Sequence, residues 1–404
     1  MTQFLHGTET IDVSQGTTNV REVRSGIIGL VGTAPLGDVN TLTICLSSTD
    51  DAQFGEITSN HTIPAALKSL REQGAGMVMV INVGSDTDTI TTANIIGTTT
   101  AEGARTGIQL LGDGYGIYGY DAKILIAPGF SSVPAVAGAL EVMAHKVKAV
   151  TYIDLPLGLT PTEAVASRGG VMPMGVDIYQ TQSTRVRICY PHRKVFDPIT
   201  DGVKLEPSSI AWAGVRARVD REVGYWTSSS NKEMRGTLGL ERVISARIDD
   251  KDTETNLLNE AGISTMFKSS GTSFLTWGNR SAAFPVNNSR ENFEQVQRTK
   301  DMIEISIHQS SMPFADSDIQ QPQIESIVES ADSYLRLLSG IRKAIVGGKA
   351  YFDPARNPVS QLEQAQIRFG YKFTPNFPME RLTYERELTG EYLLDLKSVN
   401  MGGI

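Results

Sequence analysis

Cysteine is almost absent from this sequence. Cys45 and Cys189 are the only two in 404 residues and lie far apart, so no disulfide framework holds the chain together, and the usage fits a reducing compartment. Histidine is nearly as scarce: five histidines and two cysteines nowhere stand at metal-ligand spacing, with no His-Glu-x-x-His and no Cys-x-x-Cys. No apolar run approaches the roughly 18 residues of a membrane span. Met1 to His6 carries neither the basic nor the apolar segment of a secretory signal. Positive charge is also in short supply. A net charge of −8 argues against nucleic acid as a partner, because no basic excess exists to displace counterions from phosphates. A soluble multi-domain protein is expected, since 404 residues exceed one ordinary domain.

Catalytic signatures are missing as well. There is no Gly-Lys-Ser/Thr phosphate loop and no G-x-S-x-G elbow. Gly114, Gly116 and Gly119 do match G-x-G-x-x-G, but that motif works only between a strand and a helix, and the apolar run at 123–127 follows it instead; a Gly/Tyr loop is expected. Asp249, Asp250, Asp252 and Glu254 resemble a calcium loop, yet Thr255 occupies the position that needs glycine, and the acids equally suit the start of a helix. His145 on a helix and His192 after Pro191 read as packed or solvated. Arg185, Arg187, Arg193 and Lys194 form a basic group beside Tyr190, expected as a solvated face or a contact for an acidic protein. No catalytic residue, metal or cofactor is expected.

What is present is an alternation of strands and helices. Apolar runs at 23–32, 42–46, 77–83, 124–127, 150–153, 187–190, 240–248 and 263–267 read as strands; 62–73, 133–147 and 209–223 read as helices. Buried strands separated by helices predict an α/β fold with a doubly covered, mainly parallel sheet. The last third differs. A helical stripe through 323–346 ends at Gly347-Gly348, and Ile367, Phe369, Tyr371 and Phe373 then alternate with polar residues as a one-faced antiparallel strand. Leu382, Tyr384 and Leu388 predict a second strand. The first twenty residues show no period, and 391–404 trails off with Leu393, Leu394, Leu396 and Val399, so both ends read as arms. An unpaired strand recruits another strand, which makes such arms binding devices. Trp212, Trp226 and Trp277 read as core or near-core residues.

Several segments, in order, resemble contractile tail sheath proteins of P2-like bacteriophages. They are Phe4-Leu5-His6-Gly7, 24–34 (RSGIIGLVGTA), 94–98 and 123–129 (KILIAPG). The block Pro207-Ser208, Ala213-Gly214, Ala217, Asp220, Gly224, Trp226 and Asn231 follows, with 257–263 (LLNEAGI) and Trp277-Gly278-Asn279-Arg280 the most specific pieces. The ending resembles the family in Pro375-Asn376-Phe377-Pro378-Met379-Glu380 and a last charged strand closing near Tyr392.

The resemblance implies a non-enzymatic structural subunit with a subtilisin-like α/β topology and no catalytic trio. It divides the chain into an N-terminal arm (1–22), a small α/β part (23–97), the sheath α/β domain (98–280), an α+β C-terminal domain (281–388) and a C-terminal arm (389–404). It implies six-fold rings of this chain stacked around a tail tube, with baseplate and tail terminator proteins as further partners and the virion tail, assembled in the host cytoplasm, as location. Ile367, Phe369, Tyr371, Phe373, Leu382 and Tyr384 would form the intersubunit sheet; Ile11, Val13, Leu393 and Leu396 the arm contacts; and Arg336, Arg342 and Lys343 the tube-facing charges. Two alternatives stay open on residues alone. One is the sheath of a phage-derived bacteriocin or secretion device; the other is an α/β nucleotide-binding enzyme with a β-rich dimerisation domain.

Overall fold

The computed structural model describes residues 20, 23–85, 89–170, 175, 177–269 and 273–393. The arm contacts Ile11, Val13 and Leu396, and the side chain of Leu393, lie outside the described residues. From the N-terminal side the elements are β1 (Ile28–Gly32), β2 (Leu42–Cys45), the one-turn α1 (Ser48–Asp51), α2 (Ile63–Gln73), β3 (Val78–Asn82), the short α3 (Thr92–Ile96) and α4 (Gly114–Tyr118), β4 (Ile124–Ile126), α5 (Pro134–Lys146), β5 (Val150–Asp154), α6 (Pro161–Arg168) and β6 (Val186–Cys189). A small antiparallel sheet of β7 (Arg193–Asp197), β8 (Gly202–Glu206) and β9 (Gly239–Leu240) is interrupted by α7 (Ser208–Glu222). After it come α8 (Glu254–Glu260), β10 (Ile263–Lys268), β11 (Phe274–Trp277), α9 (Glu294–Ser311), α10 (Gln321–Gly340), β12 (Ile345–Phe352), α11 (Val359–Leu362) and β13 (Phe369–Pro375).

Eight strands form one sheet in the order β11-β10-β6-β5-β4-β1-β3-β2. The six inner strands are parallel and the two edge strands antiparallel to their neighbours. The near-continuous apolar runs follow from burial on both faces, since β1, β3, β5 and β6 have no residue open to water. Helices α5, α6 and α8 cover one face through Leu140, Met143, Ala164 and Leu258. Helices α2 and α7 cover the other through Leu67, Leu70, Trp212 and Ala217. Residues 23–97 contribute β1–β3 to this same sheet.

Local chemistry sets the boundaries of α2. Thr62 stands at its N-cap, Pro64 fills its first turn, and Gly74 closes it at φ +89°, a conformation that favours glycine. The small residues of α7 serve helix packing: a Cβ on Gly214 would lie 2.6 Å from the Gln73 Cβ on α2. The two most specific sequence segments also meet. In the orientation that satisfies both ends of its amide, Asn259 donates to the carbonyls of Ile263 (3.0 Å) and Trp277 (3.2 Å) and accepts from Trp277 Nε1 (3.1 Å).

Five of the expected local structures differ in the structure, which also adds α6, α9, β7, β8 and β11. The strand expected at 240–248 reduces to β9 and a loop that Glu254 and Thr253 carry into α8. Gly114–Tyr118 is one helical turn, not a loop, and a 3₁₀ segment precedes it. The helix expected through 346 stops at Gly340, because Lys343 adopts φ +51° and the Ala344 N–H closes onto Leu338 O; Gly347-Gly348 then lies inside β12. Ile367 precedes β13 rather than belonging to it. No strand forms at 382–388, where Leu382, Tyr384 and Leu388 are 63%, 87% and 92% exposed. Among the described residues that segment pairs with no strand.

Candidate assembly interface

A third core joins α9, α10, β12 and β13 through Ile303, Ile307, Tyr334, Leu335, Leu338 and Ile345, with Tyr371 and Phe373 packed on it. The opposite side of α9 faces the large sheet and is polar. Glu294, Arg298 and Asp301 recur at helical spacing, so they share one stripe, and each is buried. Glu294 accepts from Arg187 Nη1 (2.7 Å) and Ser229 Oγ (2.7 Å) and also from the Tyr152 hydroxyl. Arg298 donates to the carbonyls of Lys123 (3.0 Å) and Ser25 (2.9 Å) and pairs with Asp220, which also holds Arg216. Asp301 takes a two-pronged bond from Arg185 at 2.6 and 2.9 Å. Burial alone would raise the Glu294 pKa, but Arg187, Arg216 and Arg298 outweigh it and hold the carboxyl at about 2.

This corrects the reading of the basic group as an open face. Arg187 and Arg193 are fully buried, paired with Glu294 and Glu206, and Arg185 is half-buried against Asp301; Lys194 alone of the four is exposed. The thiols are equally interior. Burial pushes Cys45 up to about 12 and raises Cys189 well above its usual value, so neither is a reactive thiolate.

Sheet edges decide where a foreign strand can add. The β2 edge is stopped by side chains: Tyr118 Oη donates to Leu42 O (2.6 Å) and Arg71 Nη2 to Cys45 O (3.2 Å). The β11 edge is covered by backbone, with Asn231 N bonded to Thr276 O (2.7 Å), Thr276 N to Lys232 O (2.9 Å) and Met234 N to Phe274 O (2.7 Å). The two-stranded sheet is different. Among the described residues β12 and β13 pair only with each other. On β12 the Ala350 N–H is taken by Asp332 Oδ1 at 2.9 Å, so Ala350 and its partner Tyr371 form a pair without mutual hydrogen bonds. The Phe369, Tyr371 and Phe373 backbone groups therefore point along the outer edge of β13. Further along the chain, residues 381–392 run exposed with Leu382, Tyr384, Leu388 and Tyr392 in water.

Comparison with known proteins fits this arrangement. The family model for the phage tail sheath protein central domain matches residues 103–282. The tail sheath protein of Burkholderia phage BcepMu is 41% identical over 98% of this chain and 99% of its own length. The chain belongs to the contractile tail sheath family. The tail sheath protein of Escherichia phage P2 is 27% identical over 99% of this chain and all of its own. In fold, the chain is similar to the sheath of the extracellular contractile injection system PVC in its contracted state, with TM-score 0.71, 15% identity and coverage of 97% and 99% of the two chains.

In this sheath chain the residues read from sequence are unequally placed. Phe369, Tyr371 and Phe373 share one face of β13; Ile367 is half-buried ahead of it, and Leu382 and Tyr384 stand on the exposed segment. Arg336 is neutralised on its own helix by Glu329 and Asp332. Arg342 lines an open cleft of about 670 Å³ with Arg24, Asp220, Arg221, Tyr225 and Trp226. Lys343 is exposed, and its carbonyl accepts from Asn376 Nδ2 at 2.7 Å. Sequence reasoning missed the α9 stripe. Its signal was there: ionisable residues at 294, 298 and 301 in a helix whose apolar stripe runs elsewhere. Among the described residues no group of three His, Cys, Asp or Glu side chains is arranged to hold a metal, and no helix is long and apolar enough to cross a membrane.

Proposed function

We propose that this chain is the structural, non-enzymatic subunit of a sleeve: copies form six-fold rings stacked around a tail tube in the virion, assembled in the host cytoplasm. Shortening of the sleeve drives the tube through the host cell envelope for genome ejection. The arms at 1–22 and 389–404 reach neighbouring subunits, with Ile11, Val13, Leu393 and Leu396 as their contacts. The open β13 edge, together with an exposed segment at 381–392 that pairs with no strand among the described residues, supports this reading. Phe369, Tyr371 and Phe373 form the receiving face, which Leu382 and Tyr384 of a neighbour join. The division at 280 and 388 and a subtilisin-like topology are part of the same reading; the strand order of the eight-stranded sheet supports the latter, and because β1–β3 lie within that sheet, the boundary at 97 marks a part of one α/β unit and not a separate one. Tube, baseplate and terminator proteins are the further partners, and nucleic acid is not one. No nucleotide is required if the extended lattice is metastable and the shortened one buries more surface.

Electron microscopy of the expressed chain tests the proposal. Helically striated tubes or stacked rings are expected, and a strictly monomeric protein at high concentration refutes it. Arg342 and Lys343 are proposed to face the tube. Reversing both charges is expected to weaken tube binding about tenfold while leaving self-assembly unchanged, as for rim charges at an interface. Pull-down on tube protein and sedimentation of the sheath alone separate the two effects, and equal losses in both remove the role.

A further inference from the structure

We propose that Arg280 and Glu380 form a clasp that sets the direction in which the C-terminal arm leaves its own subunit. The inference rests on reading that segment as an arm. Arg280 ends the Trp277-Gly278-Asn279-Arg280 segment, and Glu380 ends Pro375-Asn376-Phe377-Pro378-Met379-Glu380, so two stretches a hundred residues apart in sequence meet here.

The guanidinium is held before Glu380 reaches it. Its carbon lies 4.2 Å from the Phe284 ring centre and 4.4 Å from that of Phe293, and Nη1 donates to Asn288 Oδ1 at 2.9 Å. Nε and Nη2 then donate in parallel to the two Glu380 oxygens at 2.7 and 2.5 Å. A planar fork already fixed between rings loses little further freedom when it binds a carboxylate. The residues leading to Glu380 are tied as well: Phe377 packs edge-on to Phe293, Gln295 Nε2 donates to Asn376 O (3.0 Å), and Asn376 Nδ2 donates to Lys343 O (2.7 Å).

Past Glu380 the restraint ends, and every residue from 381 to 392 is exposed. Twelve extended residues reach at most about 40 Å. A root free to swivel spreads the tip over the whole sphere of that radius. A clasped root confines it to a cone and raises its effective concentration at one neighbour's sheet edge. Arg280 and Glu380 are thus positioning residues for assembly, not part of the core.

Spin labels on Thr389→Cys and Val286→Cys report the arm's direction, because Cys45 and Cys189 are buried and stay unlabelled. In Glu380→Gln, and separately in Arg280→Lys, the label distance distribution is expected to broaden about twofold. Without labels, tube formation is expected to begin about tenfold later, with the melting temperature unchanged. Distance distributions identical to the unaltered chain in both variants, or tubes forming at the original rate, overturn the clasp. If the unaltered chain forms no tubes, the arm reading fails, while the distance measurement still decides whether the clasp orients the segment.

Discussion

Replacing Glu294 by alanine is expected to cost the sheath chain roughly 3–5 kcal/mol, the usual effect of removing one partner from a buried ion pair. The reason is what stays behind. Arg187 is as buried as Glu294, and without the carboxylate its Nη1 loses its acceptor, as do the Tyr152 and Ser229 hydroxyls. Urea denaturation measures the loss as a lowered midpoint, and a midpoint within error of the unaltered chain defeats the assignment. Glu294→Gln is the gentler variant, because it keeps an acceptor for the two hydroxyls.

The same residue gives a signed pH dependence. Its pKa falls from an ordinary 4.5 to about 2 on folding, so the folded chain releases a proton that the unfolded chain holds. The resulting stability is fully present above about pH 4.5 and disappears as pH falls through 2. At 1.36 kcal/mol per unit this amounts to roughly 3 kcal/mol. Unfolding midpoints of the unaltered chain and of Glu294→Gln are therefore expected to converge as pH drops from 5 towards 2.5. A gap that stays constant over that range removes the linkage. Through these pairs α9 is held to the eight-stranded sheet, and through Ile303 and Ile307 to the two-stranded sheet, so loosening Glu294 loosens the connection between the two.

The second large effect concerns assembly alone. Removing residues 381–404 is expected to leave the melting temperature unchanged, since 381–392 are exposed and belong to none of the three cores. Ordered tubes, by contrast, are expected to disappear. A strand of about five residues added to β13 makes a handful of backbone hydrogen bonds at roughly 1 kcal/mol each. Losing on the order of 5 kcal/mol per contact lowers association by thousands-fold. Melting curves and electron micrographs of the same preparation check both halves. Tubes of normal length from the shortened chain refute the role of the arm. A collapsed melting curve shows instead that the segment serves the fold.

How much of this is legible in the sequence depends on the range of the forces involved. The short apolar runs that became β1, β3 and β4 needed little beyond their own composition, because a strand buried on both faces is apolar nearly throughout. Pro64 and Gly74 framed α2 for an equally local reason: proline suits the first turn, where its missing N–H costs nothing, and the Gly74 N–H closes onto the carbonyls of Leu70 and Arg71. Both thiols lie buried in the core that α2 and α7 form with the sheet.

Tertiary structure decided what depends on partners distant in sequence. Arg187 and Arg193 look like surface cations until Glu294 and Glu206 reach them, since a charge enters a core only when a partner offsets its desolvation. The helical stripe through Ile345 continued in sequence, but pairing with β13 won that residue for a strand. At 382–388 the alternation was real and the strand was not, because a strand needs a neighbour to satisfy its backbone and none of the described strands pairs with this segment. The sequence by itself determined most of the parallel strands and the family; only the folded chain determined which charges are interior, that the β11 edge is covered, and that the β13 edge is open among the described residues.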